Sequence, residues 1–568
     1  GGVIIAEDVP EQMPVIMARG EPQTPWVEGM QYKHLEKFGW IKFDLLGLET
    51  LRLVERTIEL ILKRHEGIEN PTFDQIKEWF DKHMDPKVLD MNDQKVYDYV
   101  YNQGHFAGVF QLTSGGAQRL FKRAKPKSIV DIATLTSIYR PGPLHAKVDK
   151  LYVKAKNDPE SIDYGHPLIK EVLEETFGMI VFQEQVMKLC SIVAGFPEAE
   201  TDTIRRNIMK RTGAQQAETL AAAMAAKKDF VAGSVKNGVP ERVADELYEK
   251  ILFFAGYGFN RAHAVSYAVD SYYCAWLHTY YEEEWLCAYL EAMSTNDKKR
   301  ARAFAEVKQM GYKIVPIDVN HAEKTWTILE GKKFMPSFLS CKGIGEAAID
   351  EILQNRPYKD INDLLWNDTG KWRHSKFNKR AFEALIGIRA FESLDIVGPG
   401  KTFENYRQMN EIVIQNNTLI KRWTKKNPTA GQANFKELCL TTAGTLPWSR
   451  RELADNSVKY LGSFNASTLI PEAAITKLEK LEIDSLDGIK DKNLYWFLVC
   501  EAIPKLTKNG RPYLIVTGAG ASGGRHRMFC WGWDGKTPLE QYTLCVAEVS
   551  KNDFGLQTSM KKLQILAV

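Results

Sequence analysis

Apolar residues recur at three- and four-residue intervals from about Leu51 to Met293 and again from about Lys298 to Asp395, which predicts two long helical regions. Before Leu51 the pattern reads as short strands that lead through "GWIKFDLLGLETL" into the first helix. Between Lys401 and Asn456 the chain is polar and aperiodic, as in "KRWTKKNPTAGQANFKEL", and this stretch is expected to be a linker. From Asn493 the period changes to two. The runs "LYWFLVCEA", "RPYLIVTGA", "RHRMFCWGW" and "QYTLCVAEV", broken by turns such as Lys508-Asn509-Gly510, predict a small β-barrel. No internal repeat of fixed period is present.

Composition adds limits. A chain of 568 residues, 44% hydrophobic and 26% charged, has room for roughly three or four domains of ordinary globular character. No apolar run approaches the ~20 residues of a membrane span, and no signal peptide precedes the first charges, so a cytoplasmic protein without membrane contact is expected. The chain begins Gly-Gly-Val without Met, which reads as a fragment. Its 8 cysteines are scattered singly with no Cys-x-x-Cys pair, as reduced core thiols would be. A net charge of +3 is too small to prove a polyanionic partner, so that argument must come from local clusters.

Candidate chemistry begins with Asp44, a carboxylate among Trp40, Ile41, Phe43, Leu45 and Leu46. Desolvating it needs a partner. Lys42, two residues away on the same strand face, could form a structural ion pair with it, or Asp44 could be a metal ligand. In "ETDTIRRNIMKRTG", Arg206 and Lys210 lie one helical turn apart with Arg205 beside them, a face that suits phosphate oxygens but equally a solvated basic surface. The loop "FAGYGFNRAHAVSYA" offers glycines for close approach, flat faces at Tyr257, Phe259 and His263, and polar groups at Asn260 and Arg261. It reads as a pocket for a base and sugar, or as a tight aromatic turn before a helix. "YRPGPL" is either a rigid turn or a loop that places Arg140.

Two further segments point to nucleic acid. Gly343-Ile344-Gly345, preceded by Lys342 in "LSCKGIGEAAIDEIL", matches the hairpin of a helix-hairpin-helix, whose backbone N–H groups face a DNA phosphate; a plain glycine-rich connection is the alternative. In the expected barrel, Phe529, Trp531 and Trp533 alternate on one face near Lys505, Lys508, Arg511, Arg525 and Arg527. Such rings stack bases in an OB-fold that binds single strands, or they fill the barrel core.

Taken in order, "KFDLLGL", "GVFQLTSGG", "YRPGPL", "HPLIKEVLEETFGMIVFQEQVM", "RRNIMKR", "FAGYGFNRAHAVSYA" and "KGIGE" resemble the C-family bacterial replicative DNA polymerases, the alpha subunits of DNA polymerase III, over about Gly1 to Asp395. The barrel matches more weakly. The resemblance implies an α+β multidomain chain. Residues 1–55 would be the last part of a polymerase-β-like palm, 56–293 mostly helical fingers and 294–400 a helix-hairpin-helix domain for duplex DNA and the sliding clamp. Residues 401–490 would be a linker with a small helical segment, and 491–568 an OB-fold.

By the same resemblance, Asp44 is the third of three aspartates that hold two Mg²⁺ ions for nucleotidyl transfer, with Lys42 near the phosphates or primer end. Arg205, Arg206 and Lys210 would meet the incoming deoxynucleoside triphosphate, and His263 its sugar. Tyr257, Asn260 and Arg140 complete the expected nucleotide site. Lys342, Gly343, Gly345, Lys508, Arg511, Arg525 and Arg527 are the expected DNA contacts. Gln432 and Phe435 in "GQANF" suggest a clamp-binding peptide without its usual Leu. The chain departs from the family pattern at Met209-Lys210-Arg211 and Arg261-Ala262-His263. No Asp-x-Asp pair occurs anywhere in the sequence, so two metal ligands are missing. The expectation is a split polymerase acting on primer-template DNA, completed by a second chain with the N-terminal domain, the Asp-x-Asp strand and the thumb. The alternative is a non-catalytic DNA-binding and clamp-tethering replication protein.

Overall fold

The computed structural model describes residues 2–5, 11, 14–18, 20–23, 41–44, 47–209, 216–255, 258–294, 297–442, 444–462, 469–470, 472–486, 493–520, 525–552 and 555–566. A two-stranded antiparallel ribbon pairs Gly2–Ile5 with Ile41–Asp44, Gly2 standing opposite Asp44. The helix Glu49–Glu66 follows and stops at Gly67, whose φ of 72° lets its N–H reach the Leu62 carbonyl. Its apolar stripe, Leu53, Val54, Ile58, Leu60, Ile61 and Leu62, is buried. Arg64 ties its C-terminal turn to Glu283 and Glu284, and Arg56 reaches Glu291, so the helix is pinned to Glu282–Met293.

The largest core runs from Leu53 to Phe334 and has the helix Arg261–Tyr280 at its middle. Trp285 is fully buried there and donates its indole N–H to the Ala107 carbonyl at 2.8 Å. Gly108, with φ 76°, is closely packed: a Cβ would stand 3.1 Å from both Trp285 and Tyr289 and 3.2 Å from Leu53. The "GVFQL" stretch is thus a packing junction. A satellite core between Ile169 and Ile251 joins the helices Pro167–Leu173, Gln183–Lys188, Gln216–Lys236 and Glu241–Ala255.

A second large core spans Ile317 to Tyr460 and corrects the expected linker. The helices Tyr406–Asn410, Asn417–Lys426, Pro428–Thr441 and Arg450–Leu461 occupy the stretch expected to be irregular. Phe403, Met409, Ile412, Val413, Ile420 and Phe435 pack into the same core as the helix-hairpin-helix region. Sparse apolar positions at helical spacing suffice because that core already offers a surface to bury them. Gln432 and Phe435 therefore lie in a folded helix, not an extended peptide. Phe435 is 3% exposed and meets Trp366 and Phe403 edge-on, while Gln432 Nε2 lies 3.5 Å from the Gly370 carbonyl.

The C-terminal barrel is closed by five strands. Asn493–Leu506 pairs with Pro512–Ala519, which pairs with Arg525–Trp531; the latter runs parallel to Gly555–Ser559, which pairs with Leu544–Asn552, and that strand returns to Asn493–Leu506. This is the OB-fold order, and closure removes the open edges of the sheet. The strand Asp484–Ser485 adds to Asn493–Leu506, so the barrel's sheet begins before the expected boundary at 491. Among the described residues no helix is long and apolar enough to cross a membrane.

Two outcomes test this packing. Phe435→Ala should cost about 3–5 kcal/mol and Gln432→Ala about 0.5 kcal/mol in urea unfolding of the second core. Similar small effects from both would restore an extended peptide. The second concerns His278, fully buried beside Trp285, Tyr99 and His105. Burial, with His105 nearby, pushes its pKa down to about 3. The folded chain keeps His278 neutral while the unfolded chain protonates near pH 6.5, so its stabilising contribution is present above that pH and lost as pH falls toward 3. Between pH 7 and pH 5 the loss is about 2 kcal/mol, and His278→Phe should remove that increment from the pH dependence of unfolding.

Candidate functional site

The backbone puts Asp44 at the end of its strand with Lys42 two residues before it, opposite Ile4. Their side chains lie outside the described residues, as do Tyr257, Lys210 and the Arg206 side chain. Among the described residues no group of three His, Cys, Asp or Glu side chains converges as a metal site would.

The loop before the Arg261–Tyr280 helix is held from several sides. Phe259 N–H donates to the Val181 carbonyl at 3.0 Å, and Gln183 N–H donates to the Phe259 carbonyl at 2.9 Å. Asn260 caps the helix, its side-chain oxygen accepting the His263 N–H at 2.8 Å. Its Nδ2 donates to Glu184 at 3.1 Å, and the other Glu184 oxygen accepts the Arg261 N–H at 2.9 Å. A carboxylate at a helix N-terminus is favoured by the helix dipole. The Arg261 guanidinium is neutralised by Glu175, at 2.7 and 2.9 Å.

Beside this cap runs a row of flat faces. The Arg140 guanidinium stacks 3.6 Å over the Phe259 ring; Phe259 meets His263 at 5.3 Å, His263 meets Tyr267 at 4.2 Å, and Tyr267 meets Phe110 at 5.2 Å. Pro141 at the first position of the helix Pro141–His145 sets Arg140 in extended conformation, with φ −132°, which is what "YRPGPL" encodes. Burial lowers the Arg140 pKa from its ordinary value. No carboxylate among the described residues pairs with it, whereas Arg261 is paired. His263 is exposed along one side of the row.

Arg205, expected to face a triphosphate, is turned inward. Its Nε and Nη2 reach Asp202 at 2.9 and 2.6 Å, and its Nη1 donates to Gln183 Oε1 at 3.0 Å. Gln183 also donates its amide to the Gly258 carbonyl at 3.0 Å. Gln183, Glu184 and Glu175 were not singled out from the sequence. Their stretches, "FQEQVM" and "LEET", carried the signal as polar residues set at the starts and ends of short helices.

In the second core, Gly343 takes φ 106° and Gly345 caps the helix Glu346–Asn355, with open space where its Cβ would stand. Ile344 is buried, and the Lys342 N–H donates to the Tyr460 carbonyl at 2.7 Å, fixing the hairpin to the Arg450–Leu461 helix. What precedes the hairpin is a single 3₁₀ turn, Phe338–Ser340. Glu346 in the first turn of the following helix is paired with Lys324 at 2.8 Å.

On the barrel, Met528 and Cys530 face the core, so Arg525, Arg527, Phe529 and Trp531 share the outward face. Phe529 and Trp531 stack at 5.7 Å and 12°, and Tyr513 on the next strand lies 4.9 Å from Trp531. The rings are therefore not core filling. Trp533 is an exception. It lies beyond the strand end, packs against the barrel core and donates to the Thr537 carbonyl at 2.7 Å. Lys508 and Arg511 stand exposed in the turn leading to Tyr513, and Lys505 pairs in register with Tyr513. Tyr513, a period-two neighbour of Ile515, was legible but not singled out.

Residues 67–237 match the family profile of the bacterial DNA polymerase III alpha subunit finger domain, and residues 311–397 match the helix-hairpin-helix motif. The first of these modules is a DNA polymerase III alpha-subunit domain. The chain is 31% identical over 510 residues to the DNA polymerase III subunit alpha of Campylobacter jejuni, covering 85% of this chain and 40% of that protein. It is 34% identical over 394 residues to the Aquifex aeolicus subunit, covering 69% and 31%, and 30% identical over 403 residues to that of Escherichia coli, covering 69% and 33%. The chain belongs to the bacterial DNA polymerase III alpha-subunit family and corresponds to a C-terminal portion of that subunit. It spans less than half the length of these relatives.

Proposed function

We propose that this chain supplies the fingers, duplex-binding and single-strand-binding parts of a template-directed DNA polymerase, with nucleotidyl transfer completed by a second chain that carries the palm's Asp-x-Asp strand and thumb. The observation that carries this reading is the row Arg140–Phe259–His263–Tyr267 set against a matched finger domain: a cation with no carboxylate beside it among the described residues, next to flat faces of which His263 is exposed. That combination suits a deoxynucleoside triphosphate, its phosphates toward Arg140, Arg206 and Lys210 and its sugar against His263. Base and sugar need flat apolar contact, and the phosphates need positive charge that the protein itself has not neutralised.

The glycine-capped start of Glu346–Asn355, with Lys342, is proposed to hold a phosphate of the duplex. The strip Arg525, Arg527, Phe529 and Trp531, with Tyr513, is proposed to hold the single-stranded template. Alternate residues of a strand stand roughly 7 Å apart, a spacing that extended single strands can follow. A sliding clamp fits as a partner only through a surface other than the buried Phe435.

Two Mg²⁺ ions, when bound, would acidify the primer hydroxyl and neutralise the leaving pyrophosphate. Asp44 is the carboxylate that the resemblance assigns to them, and one carboxylate does not fit a two-ion centre of octahedral oxygen sites. By the same resemblance the remaining ligands belong to an Asp-x-Asp strand, which this sequence does not contain, and we assign them to a second chain.

Primer extension tests the reading. The 568-residue chain alone should bind primer-template DNA without extending it, and should extend once joined by a chain with the Asp-x-Asp strand. In that complex Asp44→Asn should lower extension by at least about 100-fold while DNA affinity stays within about twofold. Extension by the isolated chain, or an active Asp44→Asn complex, would overturn the divided palm. DNA binding with no extension in any combination would favour the non-catalytic tether. Separately, His263→Ala should raise ribonucleotide incorporation by about tenfold, read as the ratio of kcat/KM for the two sugars.

A further inference from the structure

The polar side chains of Gln183 and Glu184 sit between the two elements to which the nucleotide reading assigns different parts of one ligand. The helix Glu198–Met209 carries Arg205 and Arg206, and the loop at 258–260 leads into the helix that carries His263. Gln183 touches both. Its Oε1 accepts Arg205 Nη1 at 3.0 Å, and its Nε2 donates to the Gly258 carbonyl at 3.0 Å. Its own N–H completes the bridge to Phe259 at 2.9 Å. Glu184, the next residue, holds the cap of the His263 helix through Asn260 and the Arg261 N–H.

We infer that Gln183 is a positioning residue that couples the phosphate side of the nucleotide site to its sugar side, through Arg205 on one hand and Gly258 on the other. The inference rests on the nucleotide reading above and deepens it. A neutral amide accepts from the guanidinium through its oxygen and donates to the carbonyl through its nitrogen, so its two ends serve the two arms at once. Arg205 is anchored to Asp202 on its own helix, at 2.6 Å, so its contact with Gln183 transmits the position of that helix. The Gly258 carbonyl is anchored in turn by the Phe254 and Val181 backbone bonds on either side of it, so the loop moves as a unit with Gln183. Arg205 thereby changes role. Its donors fix the angle of the helix, and contact with the triphosphate falls to its neighbour Arg206.

The substitution Gln183→Glu separates the two arms. A carboxylate keeps the acceptor for Arg205 and strengthens it, but loses the donor to the Gly258 carbonyl and sets two acceptors face to face. Gln183→Ala removes both arms. In the complex that extends primers, Gln183→Ala should raise the deoxynucleotide KM by roughly fivefold with kcat nearly unchanged and also relax ribose discrimination by roughly fivefold. Gln183→Glu should restore the KM to within about twofold while discrimination stays relaxed. A role in stability alone would move neither ratio selectively, and Gln183→Glu would then behave like Gln183→Ala.

Amide hydrogen exchange of the isolated chain gives a second readout that needs no nucleotide. Gln183→Ala should speed exchange both at 258–264 and at 202–209, and Gln183→Glu at 258–264 only. Unchanged exchange at either segment in Gln183→Ala would overturn the coupling. Arg206→Ala and His263→Ala serve as references. If those two leave KM and sugar discrimination unchanged, the nucleotide reading fails and the exchange result alone decides the coupling. If they act while both Gln183 variants remain like the wild type, the coupling fails and the nucleotide reading stands.

Discussion

A helix of 20 residues, Arg261–Tyr280, has to be buried on most of its sides, and the rest of the large core is arranged to permit that. It packs closely on the helix Ile129–Ile138, and its buried Ala264, Ala268, Ser271 and Ala275, spaced at helical intervals, are small enough for close approach of neighbouring backbones. Larger residues there would overpack the contact at about 1–3 kcal/mol each. At its C-terminal end Tyr272, Tyr273, Leu277 and His278 fill the space toward Trp79, Tyr97 and Trp285. Because the helix cannot shift along its length, its first turn is a fixed platform. Asn260 and His263 take their positions from packing that lies far from them in sequence.

Charge is distributed with the same economy. The Lys156 ammonium, half-desolvated near the Phe177 ring, is paired with Asp131, which also accepts from Tyr152 at 3.0 Å and from the Lys127 N–H at 2.8 Å. Arg205 is held by Asp202 and Arg261 by Glu175. These cations are spent inside the protein, which is the usual fate of a partly buried charge. Arg140 has a ring beneath it, and among the described residues no carboxylate pairs with it. A guanidinium stacked on an aromatic face keeps its donor edges available in the plane, so Arg140 remains able to receive an anion where Arg205 and Arg261 are already occupied.

How much of this was legible in the sequence depended on whether a signal was local. The helical period through 51–293, the hairpin glycines at 343 and 345, and the period-two runs of the barrel are local, and the structure has helices, a glycine-capped helix start and five closing strands there. The stretch 401–456 was misread because its apolar residues are few. Phe403, Met409, Val413 and Phe435 have meaning only against a core contributed by residues 317–394, which no window of the sequence contains. The site divided in the same way. Arg140 and His263 could be suspected from motifs, but the inward turn of Arg205 depends on Asp202 and Gln183, and the second of these is 22 residues away. Phe529 and Trp531 were recognisable as one face, while Trp533 failed because the strand, and with it the alternation, ends at Trp531.

The barrel answers, from the opposite end of the chain, the same physical question as the Arg140 row. Closure gives every strand a neighbour and leaves the interior to Leu514, Val516, Met528, Cys530 and Val549. Gly518 is required in that interior, since a Cβ there would stand 2.7 Å from Phe497. Tyr513, Phe529 and Trp531 lie on the outward face, packed on one another, with Trp531 40% exposed. Rings that stay partly in water, Trp531 most of all, forgo part of the burial free energy that a core position would give them. Stacking among themselves recovers part of that, and a face of bases would recover the rest. In both places the fold neutralises and buries what its own stability needs. What is left over among the described residues is a guanidinium stacked on a ring with no carboxylate beside it and, on the barrel, a stacked cluster of partly exposed rings.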